Sequence, residues 1–294
     1  MFSGSWVALV TPMHADGSID FEAWSRLLEW HVSSGTAGVV VGGTTGESPT
    51  LEESELRALV LAARSQLRGR IGLMAGAGTS STAQTVARTH WLGELGVDAL
   101  LVVTPAYNKP TQEGLFRHFS AVAAASVVPV VLYNVPGRTA VDMLAPTVIR
   151  LAQLPGIVAV KEAVADVGRV GEILAGTPPG FAVLSGDDAT AREAVLAGAK
   201  GVISVTANCA PRAMADMIAR SLAGELERAA ALDATLAPLH RHLFVEGNPI
   251  PIKWVLQRMG LLGSGIRLPL CELSLRFQPL LLEAMRAANI ETKG

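Results

Sequence analysis

This 294-residue chain has little charge, few lysines and tyrosines, and only two cysteines. Charged residues make up 17% of the chain and hydrophobic residues 50%, with a formal net charge of −2. Disordered chains combine low hydrophobicity with high net charge, and nucleic-acid-binding chains carry a basic surface, so neither class fits. Cys209 and Cys271 cannot form a disulfide framework, which favours a reducing, cytoplasmic location. We expect both cysteines to be buried thiols.

One uncharged stretch, residues 119–137, is long enough to be considered as a membrane span. Pro129 would break a helix there and Pro136 would end it. The end of a helix followed by a buried strand is the better interpretation, so no membrane partner is expected. The first ten residues also lack the positively charged start of a signal peptide.

Eight short apolar runs alternate with helical patterns along the first part of the chain. The runs are Trp6–Val10, Gly38–Val41, Ile71–Ala75, Ala99–Val103, Val128–Leu132, Ile157–Val160, Ala182–Leu184 and Val202–Val205. Alternating strands and helices with continuously apolar strands predict a parallel sheet that is covered on both faces. Eight units are the number that closes a (β/α)8 TIM barrel, and a doubly wound open sheet is the alternative.

The helical patterns between these runs carry local signals for their ends. They are Phe21–Ser34, Leu51–Gln66, Thr82–Leu95, Gln112–Ala125, Met143–Leu154, Gly168–Leu174, Thr190–Ala197 and Pro211–Ser221. Before the second of them, Thr50 is a candidate N-cap, and Glu53 three residues later would complete a capping box.

The last part of the chain continues without a strand–helix unit. We expect three helices there, over Leu222–Phe244, Pro249–Met259 and Leu270–Ala288. No low-complexity linker precedes them. The predicted organisation is therefore a catalytic barrel at residues 1–223 and a C-terminal helical extension at residues 224–294.

Lys161 is the sharpest signal for chemistry, because active sites of such barrels lie at the carboxyl ends of the strands. It directly follows the apolar run Ile157–Val160 and is one of only five lysines. Desolvation of a lysine favours the neutral amine, which is the nucleophile that forms a Schiff base with a carbonyl. The alternative is a lysine that pairs with Glu162 or extends to solvent.

The only two tyrosines, Tyr107 and Tyr133, also lie just after predicted strands. A phenol can both donate and accept a proton, so either could move protons during imine formation. The alternative is a pair of ordinary aromatic residues at the barrel rim.

Two further features suit carboxylates. Thr44 and Thr45 stand between glycines and offer two hydroxyls with closely spaced backbone N–H groups. Arg138, on a loop that follows Pro136 and Gly137, could bind a second carboxylate through two hydrogen bonds. The alternatives are a turn in which the threonines cap the next helix, and a surface salt bridge for the arginine.

Other candidates favour ordinary structural roles. His240 and His242 lie two residues apart on a predicted helix and so point to different faces, and no metal site is expected. Asp187 and Asp188 could form an acid pair, but Asp188 is more simply interpreted as a helix N-cap.

Three motifs closely resemble those of the dihydrodipicolinate synthase family, a group of pyruvate-dependent class I aldolases. They are Gly43–Glu47, Tyr133–Pro136 with Arg138 and Thr139, and Lys161–Ala163. The match continues through Ser185–Asp188, Ile203–Asn208 and Asn248–Trp254, and so extends over essentially the whole chain. The resemblance implies condensation of pyruvate with L-aspartate 4-semialdehyde to give 4-hydroxy-tetrahydrodipicolinate, on the diaminopimelate route to lysine.

The resemblance also assigns the pyruvate-binding residues. Lys161 would form the Schiff base with the keto carbon of pyruvate. Thr44 and Thr45 would hold its carboxylate, and the backbone at Ile203 would complete that pocket.

The remaining roles implied by the resemblance are proton transfer and binding of the second substrate. Tyr133 would donate and accept protons in a relay with Thr44 and Tyr107, the latter supplied by a neighbouring subunit. Arg138 would receive the carboxylate of the semialdehyde, and Gly186 would contribute backbone contacts. The family resemblance further implies a homotetramer, arranged as a dimer of dimers, and no metal or organic cofactor.

Three other activities remain as alternatives. A pyruvate-dependent lyase or aldolase acting on a sugar acid would need hydroxyl partners, whereas Arg138 suits a carboxylate. A keto-acid sensor would need no proton relay. A metal-dependent aldolase would need a cluster of metal ligands, which the sequence does not suggest.

Departures from the family pattern concern the site at which L-lysine inhibits some members. In those relatives a second tyrosine, two histidines, an asparagine and a glutamate stand where this chain has Ala106, Glu53, Leu56, Ser80 and Gln84. We therefore expect weak or absent inhibition by L-lysine.

Overall fold

The computed structural model describes residues 2–293, and its centre is a closed barrel of eight strands. The strands are β1 (Gly4–Ala8), β2 (Gly38–Val41), β3 (Gly72–Gly76), β4 (Ala99–Val103), β5 (Val130–Asn134), β6 (Ile157–Glu162), β7 (Ala182–Ser185) and β8 (Gly201–Ser204). Each strand pairs in parallel with the next, and β8 pairs with β1. The TIM-barrel prediction is confirmed, and the open sheet is excluded.

Helices follow the strands around the outside of the barrel. Within the described residues they are α1 (Phe21–Ser33), α2 (Glu53–Leu67), α3 (Thr82–Glu94), α4 (Gln112–Ala125), α5 (Pro136–Thr139), α6 (Ala145–Ala152), α7 (Gly168–Gly176), α8 (Ala191–Leu196), α9 (Pro211–Leu222), α10 (Leu226–His242), α11 (Ile250–Arg258) and α12 (Gln278–Ala287). No helix in this part of the chain has both the length and the apolar character needed to cross a membrane. The uncharged stretch at residues 119–137 divides into the end of α4, a connection and β5, as expected.

The strands are mostly apolar because they are buried on both faces. Side chains of one parity, such as Trp6, Leu101 and Tyr133, pack in the barrel interior, while the intervening ones pack beneath the helices. A Cβ atom at Gly38 or Gly72 would lie only 2.3 or 2.2 Å from the Trp6 ring, so these glycines make room for it. Trp6 thus fills the amino-terminal end of the barrel and leaves the carboxyl-terminal end open for a site.

The start of α2 differs from the expectation that Thr50 is its N-cap, which is wrong. Ser48–Thr50 forms a short 3-10 helix, and Leu51 is extended, so the α-helix begins two residues later. Glu52 is the N-cap and forms the capping box with Glu55. The motif type was predicted correctly and its register was not.

The final predicted helix is also shorter than expected. Residues 270–274 do not form a helix, a 3-10 turn spans Leu275–Phe277, and α12 begins only at Gln278. The side chain of Glu246 accepts hydrogen bonds from both the backbone N–H and the hydroxyl of Ser274. This contact holds Ser274 in an extended conformation, with φ −55° and ψ 135°, and the helix starts after it.

The two cysteines lie in different surroundings. Cys209 is buried, and burial raises the pKa of its thiol. Cys271 is exposed, so the expectation of a buried thiol is wrong there. Cys271 lies in the non-helical stretch before α12, so it is not on the buried face of a helix as the predicted helix Leu270–Ala288 would have placed it.

Two buried histidines should make folding sensitive to mild acid. Burial lowers the pKa of His31 to about 3 and that of His118 to about 4, from an ordinary 6.5. In each ring Nδ1 contacts a threonine hydroxyl, and Nε2 has no partner among residues 2–293, so an added proton would be an unpaired buried charge. The unfolded chain then binds more protons, and stability falls as the pH drops from 6.5 towards 4.

We expect each histidine to lower the free energy of unfolding by about 2 kcal/mol between pH 8 and pH 5. Urea denaturation at the two pH values measures this difference. His31→Gln and His118→Gln should each reduce it by about that amount, whereas the exposed His90→Gln should leave it nearly unchanged. An unaltered pH dependence in both buried variants would contradict this assignment.

Candidate active site

A cavity of about 510 Å³ opens at the carboxyl ends of the strands. Six of the eight site residues expected from the sequence line it: Thr44, Thr45, Tyr133, Arg138, Lys161 and Gly186. They come from the ends of four different strands, β2, β5, β6 and β7, or the loops that follow them. The parallel barrel therefore brings together residues that are far apart in the chain.

Lys161 and Tyr133 are neighbours because β5 and β6 pair in the register Tyr133↔Lys161. Both side chains point into the barrel, and both residues are buried, at 7% and 5% exposure for Tyr133 and Lys161. The Lys161 amine lies 4.3 Å from the centre of the Tyr133 ring. A small molecule bound to the amine would therefore also lie next to the tyrosine.

Lys161 does not pair with Glu162, as the alternative interpretation of the sequence would require. Glu162 lies on the other face of β6, where it forms an ion pair with Arg169 at 3.2 Å and accepts from the amide of Asn134. Burial raises the pKa of the Glu162 carboxyl, and the charge of Arg169 acts in the opposite direction. Among the described residues, Lys161 makes neither an ion pair nor a hydrogen bond through its amine.

The loop after β2 carries Thr44 and Thr45 and is tightly wound. The backbone N–H groups of Gly46 and Glu47 donate to the carbonyls of Gly43 and Thr44, both at 3.1 Å. Thr45 is buried at 2% exposure and lines the cavity, while Thr44 lines both this cavity and the adjoining one beside Ala106. The loop thus places two hydroxyls against the space in front of Lys161.

Gly186 and Arg138 define the other side of the cavity. A Cβ atom at Gly186 would lie 3.0 Å from Cε of Lys161 and 2.8 Å from Cβ of Ala163, so the glycine preserves the space for the lysine side chain. Arg138 is exposed on the short helix α5 at the mouth, and its guanidinium donates to the carbonyl of Asn248 at 3.3 Å. Within residues 2–293 it pairs with no carboxylate, unlike a surface salt bridge.

The remaining two expected site residues lie outside the cavity wall. Tyr107 is 94% exposed and has a left-handed φ of 73°, on a loop tied down by the hydrogen bond from Ser80 to the Ala106 carbonyl. It lines neither this cavity nor the adjoining one beside Ala106. Ile203 is 1% exposed and belongs to the apolar interior of the barrel beneath the cavity.

The expectation that Asp188 is a helix N-cap is wrong. Its carboxylate accepts from the backbone N–H groups of Val205 and Thr206, at 2.9 and 2.8 Å, and so fixes the chain after β8. The neighbouring Asp187 binds the start of α8 instead, accepting from the N–H and hydroxyl of Thr190.

The cavity also contains residues that were not among the expected site residues. Asp187, Glu246 and Asn248 all line it, and the last two come from the connection between α10 and α11. Asn248 begins the motif Asn248–Trp254, which resembles the family but was assigned no role in the site. Among residues 2–293, no three His, Cys, Asp or Glu side chains converge in a way that could hold a metal ion.

Comparison with known proteins gives a consistent family. The family model described as the dihydrodipicolinate synthetase family matches residues 1–288. The chain is 50% identical over 290 residues to a 4-hydroxy-tetrahydrodipicolinate synthase of Saccharophagus degradans, covering 99% of this chain and 100% of that protein.

Two similar solved structures have nearly the same backbone. One is the chloride-inhibited dihydrodipicolinate synthase of Acinetobacter baumannii in complex with pyruvate, with a TM-score of 0.97, 45% identity and coverage of 99% and 100% of the two chains. The other is a monomeric dihydrodipicolinate synthase variant, with a TM-score of 0.96, 39% identity and coverage of 99% and 98%. Family model, relatives and fold agree, and the chain belongs to the dihydrodipicolinate synthetase family.

Proposed function

We propose that this protein condenses pyruvate with L-aspartate 4-semialdehyde, through a Schiff base at Lys161, to give 4-hydroxy-tetrahydrodipicolinate. The observation that carries the proposal is the buried amine of Lys161, which lines the cavity, lies 4.3 Å from the centre of the Tyr133 ring and has no carboxylate partner within residues 2–293. An amine that no carboxylate holds is available to attack the carbonyl carbon of a bound substrate. The membership of the family supports the same reaction.

The first half of the proposed reaction forms an enamine from pyruvate. The Lys161 amine attacks the keto carbon, and loss of water gives the protonated Schiff base. Thr45 and Thr44 hold the carboxylate of pyruvate, and Tyr133 carries protons to and from the reacting atoms. Loss of a proton from the methyl group then converts the positively charged Schiff base into the neutral enamine.

The second half joins the two substrates. The enamine carbon attacks the aldehyde carbon of the semialdehyde, whose oxygen takes up a proton. The amino group of the bound product then attacks the Schiff-base carbon, which closes the ring and releases the Lys161 amine. Arg138 at the mouth binds the carboxylate of the semialdehyde, and Gly186 contributes backbone contacts to that substrate.

Tyr107 is proposed to enter the relay of a second copy of the chain. Its 94% exposure and the second cavity beside Thr44 and Ala106 support a donor that comes from outside. We propose a homotetramer, arranged as a dimer of dimers, in the cytoplasm. Residues 1–223 would be its catalytic barrel and residues 224–294 a helical extension.

The test of the function is to trap the intermediate and compare aldehydes. Borohydride reduction with pyruvate should leave an adduct on Lys161 that peptide mass mapping locates. With pyruvate present, L-aspartate 4-semialdehyde should be consumed, whereas sugar aldehydes should not. An absent Lys161 adduct would overturn the mechanism, and preferred turnover of a sugar aldehyde would favour the sugar-acid lyase.

Arg138 separates these two activities further. Arg138→Leu should raise KM for the semialdehyde by about 10-fold to 100-fold, because hydrogen bonds to a charged group contribute about 1.5–3 kcal/mol. The pyruvate concentration that gives half-maximal trapping should change by less than about twofold, since Arg138 does not contact pyruvate in this mechanism. Steady-state kinetics with each substrate varied in turn measures both, and an equal effect on the two substrates would contradict the assigned role.

A further inference from the structure

Asn248 lies between the two groups that bind carboxylates in the proposed reaction. It stands between α10 and α11, is 6% exposed and lines the cavity. Its side-chain amide donates to Oγ1 of Thr45 at 2.9 Å, and its backbone carbonyl accepts from Arg138 at 3.3 Å. One residue of the helical extension thus contacts both loops of the barrel.

The side chain of Asn248 acts on Thr45 alone. Its Oδ1 atom is buried and has no partner within residues 2–293, so the bond to Thr45 is its one side-chain hydrogen bond in that part of the chain. A buried amide is costly unless it is hydrogen-bonded. Thr45 therefore supplies the partner of the amide nitrogen of Asn248, while Oδ1 stays unpaired within residues 2–293.

A hydroxyl has a single proton and two acceptor positions. Because the Asn248 amide donates to Oγ1, it fills one acceptor position and the Thr45 proton cannot point towards it. The proton is then directed to another acceptor, and the carboxylate of pyruvate is the acceptor that the proposed reaction brings into the cavity. A side chain that accepted from Thr45 would instead withdraw this donor.

A second contact keeps Asn248 in register with the loop. Lys253, one turn into α11, forms a buried ion pair with Glu47, which lies two residues after Thr45. The segment Asn248–Lys253 therefore contacts the loop Gly43–Glu47 through two side-chain interactions. This arrangement leaves the Asn248 amide little freedom to move relative to the Thr45 hydroxyl.

We propose that Asn248 is a positioning residue for pyruvate, which directs the Thr45 hydroxyl proton towards the substrate carboxylate. The proposal rests on the proposed function, since it takes pyruvate as the ligand of Thr45. It assigns to the helical extension a part in substrate binding. Because Arg138 is bound by the backbone of Asn248, side-chain variants separate the two contacts.

The test replaces the side chain and measures binding of each substrate. Asn248→Ala should raise the pyruvate concentration for half-maximal borohydride trapping by about tenfold, as expected for one hydrogen bond to a charged group. Asn248→Asp should raise it by about 100-fold, because its carboxylate accepts the Thr45 proton and repels the substrate. KM for the semialdehyde should stay within about twofold in Asn248→Ala, because the contact to Arg138 is retained.

A double-mutant cycle shows whether Asn248 acts through Thr45. Thr45→Val removes the hydroxyl and keeps the shape, so adding Asn248→Ala to it should weaken pyruvate trapping by less than about twofold more. Asn208 is the matched control, since it is a buried asparagine that donates to the carbonyls of Ala8 and Val205. Any effect of Asn208→Ala on trapping should multiply with that of Thr45→Val.

Three results would overturn the proposal while the function stands: unchanged trapping in Asn248→Ala, equal effects on both substrates, or fully independent effects of Asn248→Ala and Thr45→Val. Thermal melting followed by circular dichroism shows whether each variant is folded. If Asn248→Ala folds poorly, Asn248→Asp keeps the shape of the side chain and carries the same cycle. Failure of the wild-type protein to form any Lys161 adduct would instead overturn the proposed function itself.

Discussion

Lys161→Met should lower kcat on the order of 10³-fold or more and abolish the pyruvate adduct, because the step that forms a covalent intermediate is lost. Methionine fills similar apolar space but has no amine. The cavity walls, including Thr45 and Arg138, would stay in place, so pyruvate could still bind without reacting. Steady-state kinetics and borohydride trapping measure the two effects separately.

Peptide mapping should discriminate between the two buried lysines, Lys161 and Lys253. Their exposure is nearly equal, at 5% and 4%. The amine of Lys253 is taken up by its ion pair with Glu47, whereas Lys161 makes no such pair among the described residues. Only Lys161 also lines the cavity. We therefore expect the adduct on Lys161 and none on Lys253.

Two control variants sharpen this result. Lys161→Arg keeps a positive charge but supplies no amine nucleophile, since a guanidinium stays protonated, and should be as inactive as Lys161→Met. Lys200→Met replaces an exposed lysine remote from the cavity and should keep wild-type kcat. Substantial turnover by Lys161→Met, with an adduct elsewhere, would show that another residue is the nucleophile.

The fold was predictable because the strongest local patterns in this chain agree with its tertiary structure. Each predicted apolar run overlaps one of β1–β8, since strands buried on both faces are mostly apolar. The residues at which helices begin were less predictable. Arg267 donates to the carbonyl of Thr50, and Glu246 accepts from Ser274 before α12; no local pattern encodes either contact, because the partners are far apart in the chain.

The candidate site was predictable where chemistry follows a strand directly. Lys161 and Tyr133 stand at such positions, and parallel pairing then makes them neighbours. Asn248 and Lys253 lay beyond this reasoning, because their partners Thr45 and Glu47 are 203 and 206 residues away in the chain. Their one signal in the sequence was the motif Asn248–Trp254, which resembles the family but does not show which residues it contacts.

The buried ion pair between Glu47 and Lys253 should be the most sensitive structural contact outside the cavity. Glu47 has a left-handed φ of 57°, is 2% exposed, and also accepts from the backbone N–H of Arg267 at 3.1 Å. Removing one member of a buried pair leaves the other charge without compensation. Lys253→Met and Glu47→Gln should each lower the free energy of unfolding by about 3–5 kcal/mol, measured by urea denaturation.

The two single variants should differ in their pH dependence, and the double variant should recover stability. Burial already lowers the pKa of Lys253, with Glu47 acting against it, so Glu47→Gln should lower that pKa further. A lysine whose folded-state pKa lies below its unfolded value gains stability as the pH rises, so Glu47→Gln should be less destabilising at pH 9.5 than at pH 7. Lys253→Met has no such group and should show no recovery.

Combining the two substitutions removes both charges and should cost less stability than either single change, because no unpaired charge remains. Additive losses in the double variant would mean that packing around Glu47 and Lys253, rather than their charges, holds the extension to the barrel.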